Sequence, residues 1–325
     1  MNTVKILGHE KAEKILLHSI SSGKIFPTWI FCGPFGIGKS SIAINFAKCL
    51  LAGIITTNDS LEIDANHPIH NPVNMRTHPD LFILEQTEES ISIDDTRNLM
   101  QKIRKTPTLS KWRVVIIENA SDLNKNIYNS LLKILEEPPK HTVIIMICKS
   151  IGSIPKTLLS RAAKIHFKPI KKQLVQQILE KMDVENAGDL ARLSNGSVGY
   201  ALYMRDHNGI EIFNNLLKSF VFSEHKKCLQ FLIDNNCVEN FSIIKNSLLK
   251  LFQIYIETLT EIADYDEYQN EISVFRKIIS SKKICVDREI KKILEIISMI
   301  NKSEPLMLDK NAVLVYVYEK FFNSQ

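Results

Sequence analysis

The stretch that decides the fold is Trp29-Ile30-Phe31-Cys32-Gly33-Pro34-Phe35-Gly36-Ile37-Gly38-Lys39-Ser40. Four consecutive apolar residues, Trp29 to Cys32, read as a buried strand. They run into Gly33 to Ser40, which satisfies G-x-x-x-x-G-K-[ST] at every fixed position. From Ser41 to about Leu51 the apolar residues Ile42, Phe46, Ala47 and Leu50 recur at helical spacing. Strand, glycine-rich turn and helix in that order form a cradle for phosphate. The glycines let backbone N–H groups turn inward, and the start of the helix adds the positive end of its dipole. Gly33, Pro34, Phe35, Gly36, Ile37, Gly38, Lys39 and Ser40 are therefore the candidate contacts for ATP. Lys39 would reach its β and γ phosphates, and the Ser40 hydroxyl would hold Mg²⁺.

Working outward, further strands are expected at Leu81–Leu84, Val114–Ile117, Val143–Cys148 and Ala163–Phe167. Helices are expected at Ile93–Lys105 and Lys125–Leu135, the latter closed by Pro138-Pro139. Near-continuous apolar strands separated by helices indicate a parallel sheet covered on both faces, an α/β architecture. After about Lys168 strand signals stop. The chain is therefore expected to divide into an α/β nucleotide-binding domain at 1–168, a small helical domain at 169–208 and an all-helical domain at 209–325. Residues 52–76 carry no clear period and read as a loop insertion.

A chain of 325 residues suits two or three domains. With 41 basic against 36 acidic residues, the +5 balance is compatible with nucleic acid without requiring it. No apolar run approaches the roughly 20 residues of a membrane helix, and Met1 to Lys14 has no apolar signal core; no membrane association and a cytoplasmic setting are expected. None of Cys32, Cys49, Cys148, Cys228, Cys237 and Cys285 forms a C-x-x-C pair, so they read as reduced core thiols.

Lys111 to Phe167 resembles the core of bacterial DNA polymerase III clamp-loader subunits, members of the AAA+ family. The resemblance is carried by Asn129-Ser130-Leu131-Leu132-Lys133-Ile134-Leu135-Glu136-Glu137-Pro138-Pro139, which is similar to that family's N-x-L-L-K-x-L-E-E-P-P signature. Leu158-Leu159-Ser160-Arg161 resembles its Ser-Arg-Cys motif, with Ala162 in place of Cys, and Ile6-Leu7-Gly8-His9-Glu10 resembles its N-terminal nucleotide-binding segment. The likeness covers about the first 205 residues well and the C-terminal third weakly. It implies an AAA+ P-loop domain, a helical lid and a helical collar, within a ring of subunits that loads a sliding clamp on primer-template DNA. It also implies that Arg161 is a finger acting in trans on a neighbouring subunit's ATP. Without the resemblance, Arg161 reads as a surface arginine ending a helix.

Within the family the third strand of a motor ends in Asp-Glu; here it ends in Glu118-Asn119. Glu118 is the candidate to hold Mg²⁺ with Ser40. Asn119 is a poor base and reads equally well as a turn residue. Leu193-Ser194-Asn195-Gly196-Ser197-Val198-Gly199-Tyr200-Ala201-Leu202 resembles the delta-prime branch, which has Gly199 where motors carry a nucleotide-sensing arginine. Thr77-His78-Pro79-Asp80 is similar to that branch as well. The expectation is a delta-prime-type subunit that binds ATP and hydrolyses it poorly; the alternative is an active gamma/tau-type motor. Many relatives carry a four-cysteine zinc module after the phosphate loop. This chain keeps Cys49, with His67, His70 and His78 nearby in no recognised ligand spacing, and no structural zinc is expected.

Overall fold

The computed structural model describes residues 7–54, 60–64, 66–85, 93–103, 105–123, 125–221, 240–263, 266–281, 284–303, 306 and 308–322. Five strands form one sheet: β1 (Thr28–Cys32), β2 (Leu81–Leu84), β3 (Arg113–Ile117), β4 (Thr142–Cys148) and β5 (Ala163–His166). Their order is β2-β3-β4-β1-β5, and every pairing is parallel. β1, β3 and β4 are buried at every residue, as expected for continuous apolar runs in a sheet covered on both faces. One face holds Leu16, Phe31, Phe46 and Ile145; the other holds Ile30, Val115, Leu131 and Met146.

The connecting helices are α1 (Glu10–Ser21), α2 (Lys39–Ala52), α3 (His70–Asn74), α4 (Ile93–Ile103), α5 (Lys125–Glu136) and α6 (Lys156–Leu159). Helices alone follow among the described residues: α7 (Lys172–Lys181), α8 (Ala187–Leu193), α9 (Val198–Asp206), α10 (Gly209–Val221), α11 (Phe241–Leu259), α12 (Gln269–Ser281), α13 (Val286–Lys302) and α14 (Lys310–Phe322). The α/β class with a helical C-terminal part is thus as expected. No helix among the described residues is long and apolar enough to cross a membrane.

The chain divides into two compact units, Met1–Ala187 with Asn195–Tyr200, and Gly188–Ser194 with Ala201–Gln325. Residues 169–208 are shared between them. In the second unit Phe220, Phe252, Tyr255, Phe275 and Phe321 form an aromatic core with neighbouring ring centroids 4.9–5.9 Å apart. The Arg192 guanidinium there lies over the rings of Phe213 and Tyr268 and pairs with Glu271, 2.6 Å away and almost fully buried.

Two readings need correction. The stretch 52–76 is more than a loop: it contains α3 and buries Leu61, Ile69 and Val73 beside α2. A five-residue helix is too short to leave a readable period. Among the cysteines, Cys32, Cys49 and Cys148 are buried free thiols, but Cys285 is exposed ahead of α13. Cys228 and Cys237 lie outside the described residues.

Candidate nucleotide site

The Gly33–Ser40 turn leaves the end of β1 and feeds directly into α2. Gly33 N–H donates to Cys148 O at 3.2 Å, which ties the start of the turn to β4. Gly36 and Gly38 have φ of 71° and 102°, a region that a Cβ makes costly. Lys39 closes the turn on itself: its Nζ donates to Gly33 O at 2.7 Å and Pro34 O at 2.5 Å. Burial holds its pKa below the ordinary lysine value, against the raising influence of Cys148 and other neighbouring groups. His9, just before α1, is buried beneath the turn, donates through Nε2 to Ile37 O at 2.5 Å, and meets Phe167 edge-on. Burial keeps its imidazole pKa below the ordinary value.

Leu84 stands beside Ile117 in the β2–β3 register, so the next residues, Glu85 and Glu118, emerge side by side. Glu118 N–H donates to Leu84 O at 2.9 Å. Ser40, at the start of α2, lies close enough to the end of β3 to pull the Glu118 pKa down. Burial, and then the Glu85 charge, push the Glu118 pKa above the ordinary range; Ser40, Arg76 and Lys39 pull the other way. Arg76 pairs with Glu85. Asn119 is exposed, sits at φ 48° and ψ 43°, and begins a short 3₁₀ turn at Ala120–Asp122, a conformation Asn tolerates better than most side chains.

The segment from Asn195 to Tyr200 belongs to the same compact unit and closes over the phosphate turn. Gly199 N–H donates to Gly36 O at 2.8 Å, and Ser197 Oγ donates to Phe35 O at 2.8 Å. A Cβ on Gly199 would lie 2.7 Å from Gly36 Cα, and a Cβ on Gly36 would lie 2.5 Å from Ser197 Oγ. The two backbones are therefore in contact with no room for a side chain between them.

Sequence reading placed Gly33 to Ser40 and Glu118 in one site, and these residues do come together. It named His9 only within the N-terminal segment likened to the family's nucleotide-binding stretch, not as a partner of the turn, and it missed Glu85 and Arg76. Strand pairing brings Glu85 to Glu118 and Arg76 follows through its pair with Glu85, so local spacing gave no signal for them. Arg161 lies elsewhere on the unit, just after α6, half exposed and 3.3 Å from Glu136 Oε1. The histidines have structural partners. His70 donates through Nε2 to Ile63 O and accepts through Nδ1 from Lys48, while His67 and His78 accept from the N–H groups of Ile69 and Asp80. Burial pushes the Cys49 thiol up to about 12, and it donates to Leu61 O.

Residues 8–171 match the family described as DNA polymerase III, delta subunit. The chain is 25% identical over 308 residues to DNA polymerase III subunit gamma of Buchnera aphidicola subsp. Schizaphis graminum, covering 86% of this chain and 83% of that one. It is 27% identical over 209 residues to DNA polymerase III subunit tau of Escherichia coli, covering 62% of this chain and 32% of that one. It overlays a DNA polymerase III gamma subunit-related protein of Thermotoga maritima over 97% of this chain and 98% of that one. That overlay has a TM-score of 0.44 and 15% identity, too distant to bear on function.

Proposed function

The chain belongs to the DNA polymerase III, delta subunit family, and we propose that within it this protein is a delta-prime-type clamp-loader subunit that binds ATP, turns it over poorly and serves a neighbour's ATP site. Its partners are the motor and delta-type subunits of the loader and, through them, the sliding clamp and primer-template DNA; its setting is cytoplasmic. We keep the division at 168 and 208 into nucleotide-binding, lid and collar domains as part of this proposal.

The residues present fit magnesium-bound ATP. The turn is already closed by Lys39, its N–H groups lie at the start of α2, and Ser40 lies close to the Glu118 carboxyl. Mg²⁺ would screen the phosphate charge and orient the terminal phosphate. Gly33–Gly38 would bind phosphate oxygens through backbone N–H groups. Lys39 would exchange its carbonyl partners for phosphate, and Ser40 with Glu118 would hold the metal's side.

The observation that carries poor hydrolysis is the contact of Gly199 with Gly36. Where a motor presents an arginine to the nucleotide, this chain presents backbone. Asn119, committed to a left-handed turn, adds no base. Arg161, half exposed and ion-paired with Glu136, can extend toward a second subunit. A guanidinium keeps its charge and grips two oxygens at once. Such a finger contributes about 10³–10⁵ in rate to phosphoryl transfer.

The relatives named gamma and tau favour a second reading, an active motor. The purified chain separates the two: fluorescent ATP-analogue binding with negligible phosphate release supports the stator, and steady turnover, with or without primed DNA, establishes the motor.

A further inference from the structure

β2 is the last strand on its side of the sheet, so among the described residues one of its edges has no strand partner. The register fixes which backbone groups face that edge. Val114 N–H donates to Asp80 O and Glu118 N–H to Leu84 O, so Phe82 and Leu84 turn their N–H and C=O groups toward β3. Leu81, Ile83 and Glu85 turn theirs outward. The Leu81 N–H is capped by His78 O at 3.0 Å; among the described residues none caps Ile83. A bare edge is a template for another chain unless charge or cover blunts it.

This edge opens into a groove with a cavity of about 650 Å³ that runs the length of Leu81 to Glu85. Lys102 of α4 and the following Lys105 line it, as do Arg76 and Arg113, while Glu85 is its one carboxylate among the described residues. Asp80 and the carbonyls of Ile103 and Thr106 hold Arg113, and Glu85 holds Arg76. Among the described residues, the exposed Lys102 and Lys105 leave the groove positive. Phe82 and Ile83 are only half buried, one on each face of the strand.

We propose that this groove receives an extended acidic segment of a partner protein, which pairs with β2 as a sixth strand. Unpaired backbone groups match the backbone of another extended chain. Phe82 and Ile83 offer apolar surface to its alternate side chains, and the lysines select carboxylates among the others. A nucleic-acid strand would satisfy the lysines and leave the Ile83 backbone unmatched. The proposal does not depend on nucleotide binding, since its lysines lie on α4 and the loop after it.

The test uses the full chain and a fluorescein-labelled peptide of alternating glutamate and valine, read by anisotropy. Saturable binding is expected. Methylating the peptide's alternate backbone nitrogens should abolish it, because the strand bonds are lost while the charge is kept. The double variant Lys102→Glu, Lys105→Glu should weaken it about tenfold with an unchanged melting temperature. A second variant, Ile83→Pro, removes the outward N–H alone and should also weaken it. Equal binding by the methylated peptide, or no saturable binding by the parent, overturns the proposal. So does tighter binding of labelled oligothymidylate with the same lysine dependence, which would make the groove a nucleic-acid surface.

Discussion

Replacing Asp80 by Asn should destabilise the α/β unit by more than a typical point substitution. Asp80 is completely buried between α3 and β2. One carboxylate oxygen accepts from Thr108 N–H at 2.6 Å; the other accepts from Leu109 at 2.8 Å and Ser110 at 2.9 Å. Asn keeps the shape but turns one acceptor into a donor. At least one part-buried N–H then faces an NH₂ group, at a cost of about 1–3 kcal/mol. The remaining bonds lose charge assistance, which makes such bonds roughly twice as strong as neutral ones. Arg113, itself buried, loses its nearby carboxylate. The sum is about 3–4 kcal/mol, or roughly 8–12 °C in the unit's melting temperature.

The pH dependence provides a second check on the same variant. Burial raises the Asp80 pKa, and the three N–H donors outweigh it, so the folded value lies below the ordinary one. A depressed folded pKa contributes stability above the unfolded value of about 3.9 that disappears as pH falls through the folded value. The gap between wild type and Asp80→Asn, measured by circular-dichroism melting, should therefore be full near neutrality and narrow below about pH 4. A gap under about 1 kcal/mol at neutral pH, or one unchanged down to pH 3, would refute the reasoning.

Other outcomes are expected on the same grounds. Arg161→Ala should leave folding and assembly intact and slow the stimulated ATPase of the reconstituted loader, with Arg161→Lys partly rescuing it; unchanged rates in both return Arg161 to the surface. Glu85→Gln removes a charge that raises the Glu118 pKa, so the acid limb of magnesium-ATP binding, followed by titration calorimetry, should move to lower pH. Arg192→Met strips Glu271 of its buried partner and should cost about 3–5 kcal/mol, seen as an earlier melting transition of the helical unit. Gly199→Ala should weaken ATP-analogue binding or lower the melting temperature, since its Cβ would meet Gly36 Cα at 2.7 Å.

The sheet was legible in the sequence because Trp29–Cys32, Val114–Ile117 and Val143–Cys148 are buried on both faces and so are apolar without interruption. The phosphate turn was legible because its geometry demands glycine at fixed positions in one short stretch. What stayed hidden depends on pairing between distant segments. Glu85 meets Glu118 only because β2 lies beside β3, and Gly199 meets Gly36 across 163 residues (199 − 36). Short α3 was missed because its burial rests on Val73 and its flanking residue Ile69 rather than on a repeating stripe.

The back-to-back glycines have an evolutionary consequence. Gaining an arginine at 199 would not be a simple one-residue change, because the new side chain would need the space that Gly36 and its turn already occupy. Such a step would disturb the Gly33–Ser40 turn before any guanidinium could reach past it. It would require the Asn195–Tyr200 segment to withdraw at the same time. Steric history thus limits which side chains a descendant of this chain could carry at position 199, even while the Gly33–Ser40 sequence stays complete.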